Sequence, residues 1–205
     1  MPQTLLDTDS FGGTNGDTLT TYSANWPVFI SWNQLAIRGT PGFGTGVAGS
    51  QGNRRTGQTW TDDHWAEITL DAVSLADTLF WVGVRAIDES PSGRGYGGGW
   101  DFGPTVYQIV RFNPDGSKTV LLNDPGSNTR AQSDIINVQV VGTTITLKVT
   151  RGGSQLLSIS TVETTYPTGG TPLLFANDIT TNRLGGTWRA GSVTPNNQTW
   201  LRHGR

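Results

Sequence analysis

The run Thr144-Ile145-Thr146-Leu147-Lys148-Val149-Thr150 alternates polar and apolar side chains without a break. A period of two puts Ile145, Leu147 and Val149 on one face of a half-buried β-strand. Ile136, Val138 and Val140 alternate with Asn137 and Gln139 just before it, and Val141-Gly142-Thr143 supplies a tight turn between the two. Arg151-Gly152-Gly153 then turns the chain into 154–160, with Leu157 and Ile159 facing inward. Together these segments predict a three-stranded meander.

The same reading places strands at 4–11, 28–32, 34–38, 64–70, 79–87, 105–113, 117–122, 172–177 and 183–190. Asn113-Pro114-Asp115-Gly116 marks a hairpin between 105–113 and 117–122, because Pro presets φ and Gly accepts a positive φ. No window of helical length keeps a 3.6-residue period, and 70–81 has room only for a short turn. There is no internal repeat and no linker-like break. About a dozen short strands between turn residues predict an all-β, two-sheet antiparallel sandwich or a barrel. The connections 39–59 and 88–104 are longer than the roughly 12–15 residues usual for structureless loops, so each is a functional loop or a plain surface excursion.

Composition narrows the function classes. Charged residues make up 15% of the 205 positions, the net charge is −2, and Lys118 and Lys148 are the two lysines. That leaves no basic surface for nucleic acid or an anionic membrane. No apolar stretch approaches the roughly 20 residues of a spanning helix. Met1–Phe11 lacks the basic and apolar regions of a secretory signal. Cysteine is absent, which excludes disulfides, thiolate metal sites and cysteine nucleophiles. Thr is about as frequent as Gly, as half-exposed strands favour.

The order of motifs resembles a known family. Asp9-Ser10-Phe11 precedes a Gly/Thr-rich loop, Leu19-Thr20-Thr21-Tyr22-Ser23 and Trp26. Asp63-His64-Trp65-Ala66-Glu67-Ile68-Thr69-Leu70 leads to Val82-Gly83-Val84-Arg85-Ala86. Tyr107, the hairpin, the Ile145–Val149 strand, Pro172-Leu173-Leu174-Phe175-Ala176 and Asn182-Arg183-Leu184 follow. This order resembles the concanavalin A-like (laminin-G-like) jelly-roll superfamily, in particular modules of bacterial extracellular proteins and bacteriophage virion proteins. The resemblance covers about residues 5–191. It implies one sandwich domain over 1–191, a polar tail at 192–205, adjacent first and last strands, and glycans on one sheet face or its rim.

Catalytic material is sparse. The Glu-x-Asp-x-x-Glu string of related glucanases does not occur, and Glu67, Glu89 and Glu163 are the only glutamates. Glycoside hydrolysis needs a second carboxyl within about 5–9.5 Å, and Glu67 has no obvious partner. His64 and His203 are too few for a triad or a zinc site. Two Gly-x-Gly-x-x-Gly strings, from Gly44 and Gly93, sit outside any βαβ unit and are not nucleotide sites. Asp7, Asp9 and Asp17 are candidates for a structural Ca²⁺, or else turn residues at a strand end, and no other cofactor is indicated. Asn197-Gln198-Thr199 is a formal glycosylation sequon.

The eight tryptophans are the most informative residues. Trp65 and Glu67 alternate with Ala66 and Ile68, and Trp81 and Arg85 alternate with Val82 and Val84. If the smaller apolar sets face the core, Trp65, Glu67, Trp81 and Arg85 share the opposite face. There they form a sugar platform or lie buried under loops. The Gly-rich stretch 93–103 offers Tyr96, Trp100, Asp101 and Phe102 as docking groups for its own surface, another subunit or a glycan. Trp188 reads as structural, and Trp200 as a contact to another chain. The expected function is a non-catalytic structural protein of a virion or extracellular surface: a phage decoration, fibre or tail-associated protein. Its expected partners are other virion or surface proteins in an oligomeric assembly, with glycans as candidate ligands. A soluble extracellular carbohydrate-binding module and a polysaccharide hydrolase or lyase are the alternatives.

Overall fold

The protein is described by a computed structural model covering residues 1–30, 32–39, 42–45, 49–70, 79–89, 91–101, 103–126, 128–178 and 183–194. Among these residues the strands are β1 (Gln3–Asp9), β2 (Leu35–Ile37), β3 (Phe43–Thr45), β4 (Gly49–Arg54), β5 (His64–Leu70), β6 (Leu79–Ile87) and β7 (Arg94–Asp101). They continue as β8 (Val106–Phe112), β9 (Lys118–Asn123), β10 (Ile135–Val141), β11 (Thr144–Arg151), β12 (Ser154–Val162), β13 (Thr171–Asp178) and β14 (Arg183–Val193). A four-residue helix, α1 (Leu19–Tyr22), follows β1.

The strands form two antiparallel sheets. The first runs β12-β11-β10-β5-β14-β3-β2, with β1 also paired to β14. The second runs β4-β13-β6-β7-β8-β9. The meander β10-β11-β12 and the adjacency of the first and last strands stand as expected. The result is an all-β, two-sheet antiparallel sandwich of jelly-roll type. Strand β14 continues to Val193, past the expected boundary at 191, and residues 195–205 with Trp200 lie outside the described residues. So do residues 71–78, the centre of the expected turn at 70–81.

Alternation decides which side chains fill the space between the sheets. Ala66 and Ile68 of β5, Val138 and Ile136 of β10, and Ala190 and Trp188 of β14 stand in register across the first sheet. They meet Phe80, Val82 and Val84 of β6, Tyr96 and Trp100 of β7, and Tyr107 and Ile109 of β8 in one buried cluster. Burying each such side chain contributes roughly 1.5–3 kcal/mol.

Three expectations fail here. Among the described residues of 28–32 there is no strand. They lie along β4 through Phe29 N–H to Gly52 O (2.8 Å) and Asn33 N–H to Ser50 O (3.0 Å). The connection 39–59 contains β3 and β4, and 88–104 contains β7. Gln51 and Asn53 of β4 are polar yet fully buried. Asn53 is satisfied by the backbone, accepting from Leu35 N–H (2.9 Å) and donating to Trp26 O (2.8 Å). That bonding lets a polar sequence lie inside the protein.

Candidate functional site

The outward face of the second sheet is built from rows of register partners. Phe175 of β13 stands beside Trp81 of β6, which stands beside Gly99 of β7, and Phe112 of β8 stands beside Lys118 of β9. Strand β7 presents no side chain outward between them, because Gly95, Gly97 and Gly99 alternate with the core residues Tyr96 and Trp100. A Cβ on Gly99 would lie 2.0 Å from Phe80 O and 2.7 Å from Cδ1 of Trp81, and one on Gly97 would lie 2.9 Å from Cε2 of Phe112. The bare backbone is what lets these rings lie across β7.

Trp81 and Phe175 stack at 5.1 Å with 21° between their planes. Trp32 stands edge-on to Phe175 (4.5 Å) and Phe112 (5.3 Å). Its ring sits on Gly52, where a Cβ would be 2.3 Å from Cε3. The Lys118 ammonium lies 4.5 Å from the Trp81 ring centroid and 2.6 Å from the Asp101 carboxylate. Asp101 is held in turn by Gly103 N–H at 3.0 Å.

Between these groups is a trough of about 220 Å³. Its floor is aromatic, and Ser50, Asn177 and Lys118 stand at its edge. Asn177 Nδ2 donates to Ser50 Oγ at 3.3 Å, which fixes the amide. The Trp81 indole N–H is buried without a hydrogen-bond partner. Trp81 itself is 2% exposed, packed against Phe175, Phe112 and Lys118, whereas Trp32 is half-buried. The ring available to a ligand is therefore Trp32. An apolar floor with a few fixed polar groups is the usual make-up of a small-molecule site.

The remaining site candidates lie elsewhere. Trp65 and Glu67 face outward from the first sheet, whereas Trp81 faces outward from the second, so the expected shared face does not exist. Parity along β5, and along β6 as far as Val84, is as expected, but β5 and β6 belong to different sheets. Glu67 has Asn137 and Arg189 as its cross-strand neighbours, at 3.1 and 3.4 Å, and neither is a carboxylate. Tyr96 and Trp100 are core residues of β7 rather than loop aromatics. Tyr96 accepts a hydrogen bond from Tyr166 N–H at 2.8 Å, and Trp100 packs edge-on to Tyr107. Phe102 lies outside the described residues.

Arg85 takes neither face. A bulge between Val84 and Ile87 gives it a φ of 54° and sends it to one end of the sandwich. There it donates to the carbonyls of Asp62 (3.1 Å), Tyr166 (3.1 Å) and Gly142 (2.8 Å), with Asp63 at 3.6 Å. Burial lowers its pKa, opposed by the Asp63, Tyr96 and Asp62 charges. These contacts make it a clamp between segments rather than a ligand group.

Of the two readings of Asp7, Asp9 and Asp17, the contacts favour a structural one over a Ca²⁺ site. Arg55 holds Asp7 at 2.7 Å and Asp9 at 3.3 Å. Asp9 further accepts from Phe11 N–H (2.8 Å), Tyr22 Oη (2.9 Å) and Trp26 Nε1 (2.8 Å). A carboxylate so fully engaged is a structural anchor. Asp17 holds β2 through its backbone carbonyl, which accepts from Ile37 N–H at 2.8 Å. Among the described residues no three His, Cys, Asp or Glu side chains are grouped to hold a metal ion.

No protein-family model matches the chain, and no curated protein sequence matches it. Solved structures do resemble it. The carbohydrate-binding module CBM66 from Bacillus subtilis superposes with a TM-score of 0.52 at 10% identity, covering 80% of this chain and 91% of that one. The exoplasmic/lumenal domain of VIP36, in a form bound to Ca²⁺ and Man3GlcNAc, gives 0.52 at 9% identity over 93% and 86%. A xylan β-1,4-xylosidase from Bacillus halodurans gives 0.54 at 12% identity over 94% of this chain and 41% of that one. At these identities the likeness is one of fold.

Proposed function

We propose that the protein is a non-catalytic carbohydrate-binding module. The observation that carries this reading is the trough framed by Trp32, Trp81 and Phe175. A sugar ring lays its C–H face on Trp32, and its hydroxyls meet Asn177, Ser50 and Lys118. Asp101 neutralises Lys118, so the site favours an uncharged sugar over a uronate. The solved structures of similar fold include a carbohydrate-binding module and a domain bound to Man3GlcNAc, which supports the reading by analogy. Glu67 has no carboxylate across either neighbouring strand, which argues against glycoside hydrolysis.

A glycan array probed with the full chain tests this. A binder is expected, and its signal disappears in Trp32→Ala. No binder across a broad array, or binding that Trp32→Ala leaves intact, overturns the reading. The setting we infer for the module is a virion or another extracellular surface, as the resemblance of its motif order implies. A soluble module of an extracellular bacterial system fits the same trough. Co-purification with particles distinguishes the two.

A further inference from the structure

The trough, at about 220 Å³, is smaller than the roughly 300–1,000 Å³ of a typical small-molecule site. A second cavity, a crevice of about 350 Å³, adjoins it, and Trp32 lines both. The two also meet through the backbone. Asn33, at the crevice, donates its N–H to the carbonyl of Ser50, at the trough (3.0 Å).

The crevice lies at the edge of β2, off the face that carries the trough. One wall is the segment 16–18, held along β2 by Ile37 N–H to Asp17 O (2.8 Å) and Gly16 N–H to Ile37 O (3.0 Å). Thr18, Asn33, Gln34 and Arg38 supply its polar groups, and Trp32 and Val28 its apolar surface. Gln34 is incomplete: its Oε1 is buried and has no hydrogen-bond partner among the described residues. Buried polar atoms are nearly always paired, and a bare one is costly. An acceptor beside a cavity takes its hydrogen from what fills the cavity, water in the free protein or a hydroxyl in a complex. The backbone on both sides of Gln34 is fixed, through Asn33 N–H to Ser50 O and Leu35 N–H to Asn53 Oδ1 (2.9 Å). Little ordering is then left to be done on binding.

We propose that the crevice is a second sugar subsite, and that the ligand is a linear, uncharged oligosaccharide running past Trp32. The inference rests on the glycan reading of the trough. One unit lies on Trp32 in the trough, and the next enters the crevice, where a hydroxyl donates to Gln34 Oε1. Arg38 is already engaged within the chain. Lys118 is paired with Asp101. Neither cavity therefore gives a charged sugar a free partner.

Calorimetric titration of the full chain with the one-, two- and three-unit members of the β-1,4-linked glucose, xylose and mannose series tests the proposal. In at least one series the affinity should rise about tenfold from one unit to three, the scale of one well-made hydrogen bond with its contacts. Gln34→Leu removes the acceptor and keeps the bulk. It should retain the circular dichroism spectrum and bring three-unit affinity down to that of one unit. A series that binds equally at every length, or a rise that Gln34→Leu leaves intact, overturns the crevice subsite while the trough reading stands. No binding in any series also overturns the subsite, and a glycan array that is silent as well overturns the trough reading with it.

Discussion

The backbone N–H of Arg85 donates to Nε2 of His64 at 3.0 Å, tying β6 of one sheet to β5 of the other. The second ring nitrogen, Nδ1, lies 2.7 Å from the Thr61 carbonyl, so Nδ1 carries the proton and Nε2 accepts. Both ring nitrogens are engaged only while the imidazole is neutral. The Arg85 guanidinium then gathers the carbonyls of Asp62, Gly142 and Tyr166 around the same end of the sandwich.

This contact predicts acid sensitivity. Burial first, and then the Arg85 charge, lower the His64 pKa from 6.5 to about 4, against the opposing pull of the Thr61 carbonyl, Asp62 and Asp63. The unfolded chain takes up the proton near pH 6.5, so between those values it holds more protons than the folded one. Stability from this group is complete above about pH 6.5 and is lost as the pH falls towards 4. The full loss is on the order of 3 kcal/mol, at about 1.4 kcal/mol per pKa unit. Urea midpoints of wild type and His64→Gln across this window should converge as the pH falls. Parallel profiles would show that His64 does not titrate this way.

Arg85 should resist conservative replacement. Its fork reaches three carbonyls from one planar group, which a single ammonium cannot do. Arg85→Lys and Arg85→Met should both cost about 3 kcal/mol or more, by analogy with removal of one partner from a buried charged network. Equilibrium denaturation measures this. A lysine variant as stable as wild type would show that the carbonyl cage is not needed.

Legibility in the sequence followed the physics of each strand. Strands β5, β6, β10 and β11 bury one face under apolar side chains, and period two reveals them. Strand β7 hides because its outward positions are Gly95, Gly97 and Gly99, which carry no side chain to alternate. The rings that cover it come from Trp81 and Phe112, on other strands. Strand β4 hides because its buried side chains, Gln51 and Asn53, are polar. Of the candidate ligand residues, Trp81 lines the trough and Asp101 touches it only through Lys118. Trp32, Phe175 and Lys118, which also line the trough, are not legible as its neighbours, because sheet membership is a long-range property that periodicity does not encode. The every-second glycines of β7 were the available local signal.

Gly99→Ala tests the bare-backbone account of β7. The added methyl would sit 2.0 Å from Phe80 O, so the β6–β7 ladder or the Trp81 ring must move. Overpacking of this kind costs about 1–3 kcal/mol. Gly142→Ala is the comparison, since nothing lies within 4 Å of its Cβ, although its φ of 54° carries a backbone penalty. The two variants should differ in the near-ultraviolet circular dichroism of the indoles, with Gly99→Ala alone changing it. An unchanged spectrum in both would mean that Trp81 does not lie across β7.

Trp32 and Trp81 should separate binding from stability. Trp81 is almost fully buried, and its ring contacts Phe175 and Phe112. Truncating it to Ala removes a large packed ring and should cost about 3–5 kcal/mol. Trp32 is half-buried at the edge of the trough, so part of its surface is already in water. Trp32→Ala should cost less than Trp81→Ala while abolishing glycan binding. Lys118→Met should weaken binding and also relieve Asp101 of its ion pair, a partly exposed contact of about 1 kcal/mol or less. Thermal unfolding and glycan titration on the same three variants read both quantities. If binding falls only in proportion to stability, the trough is packing and not a site.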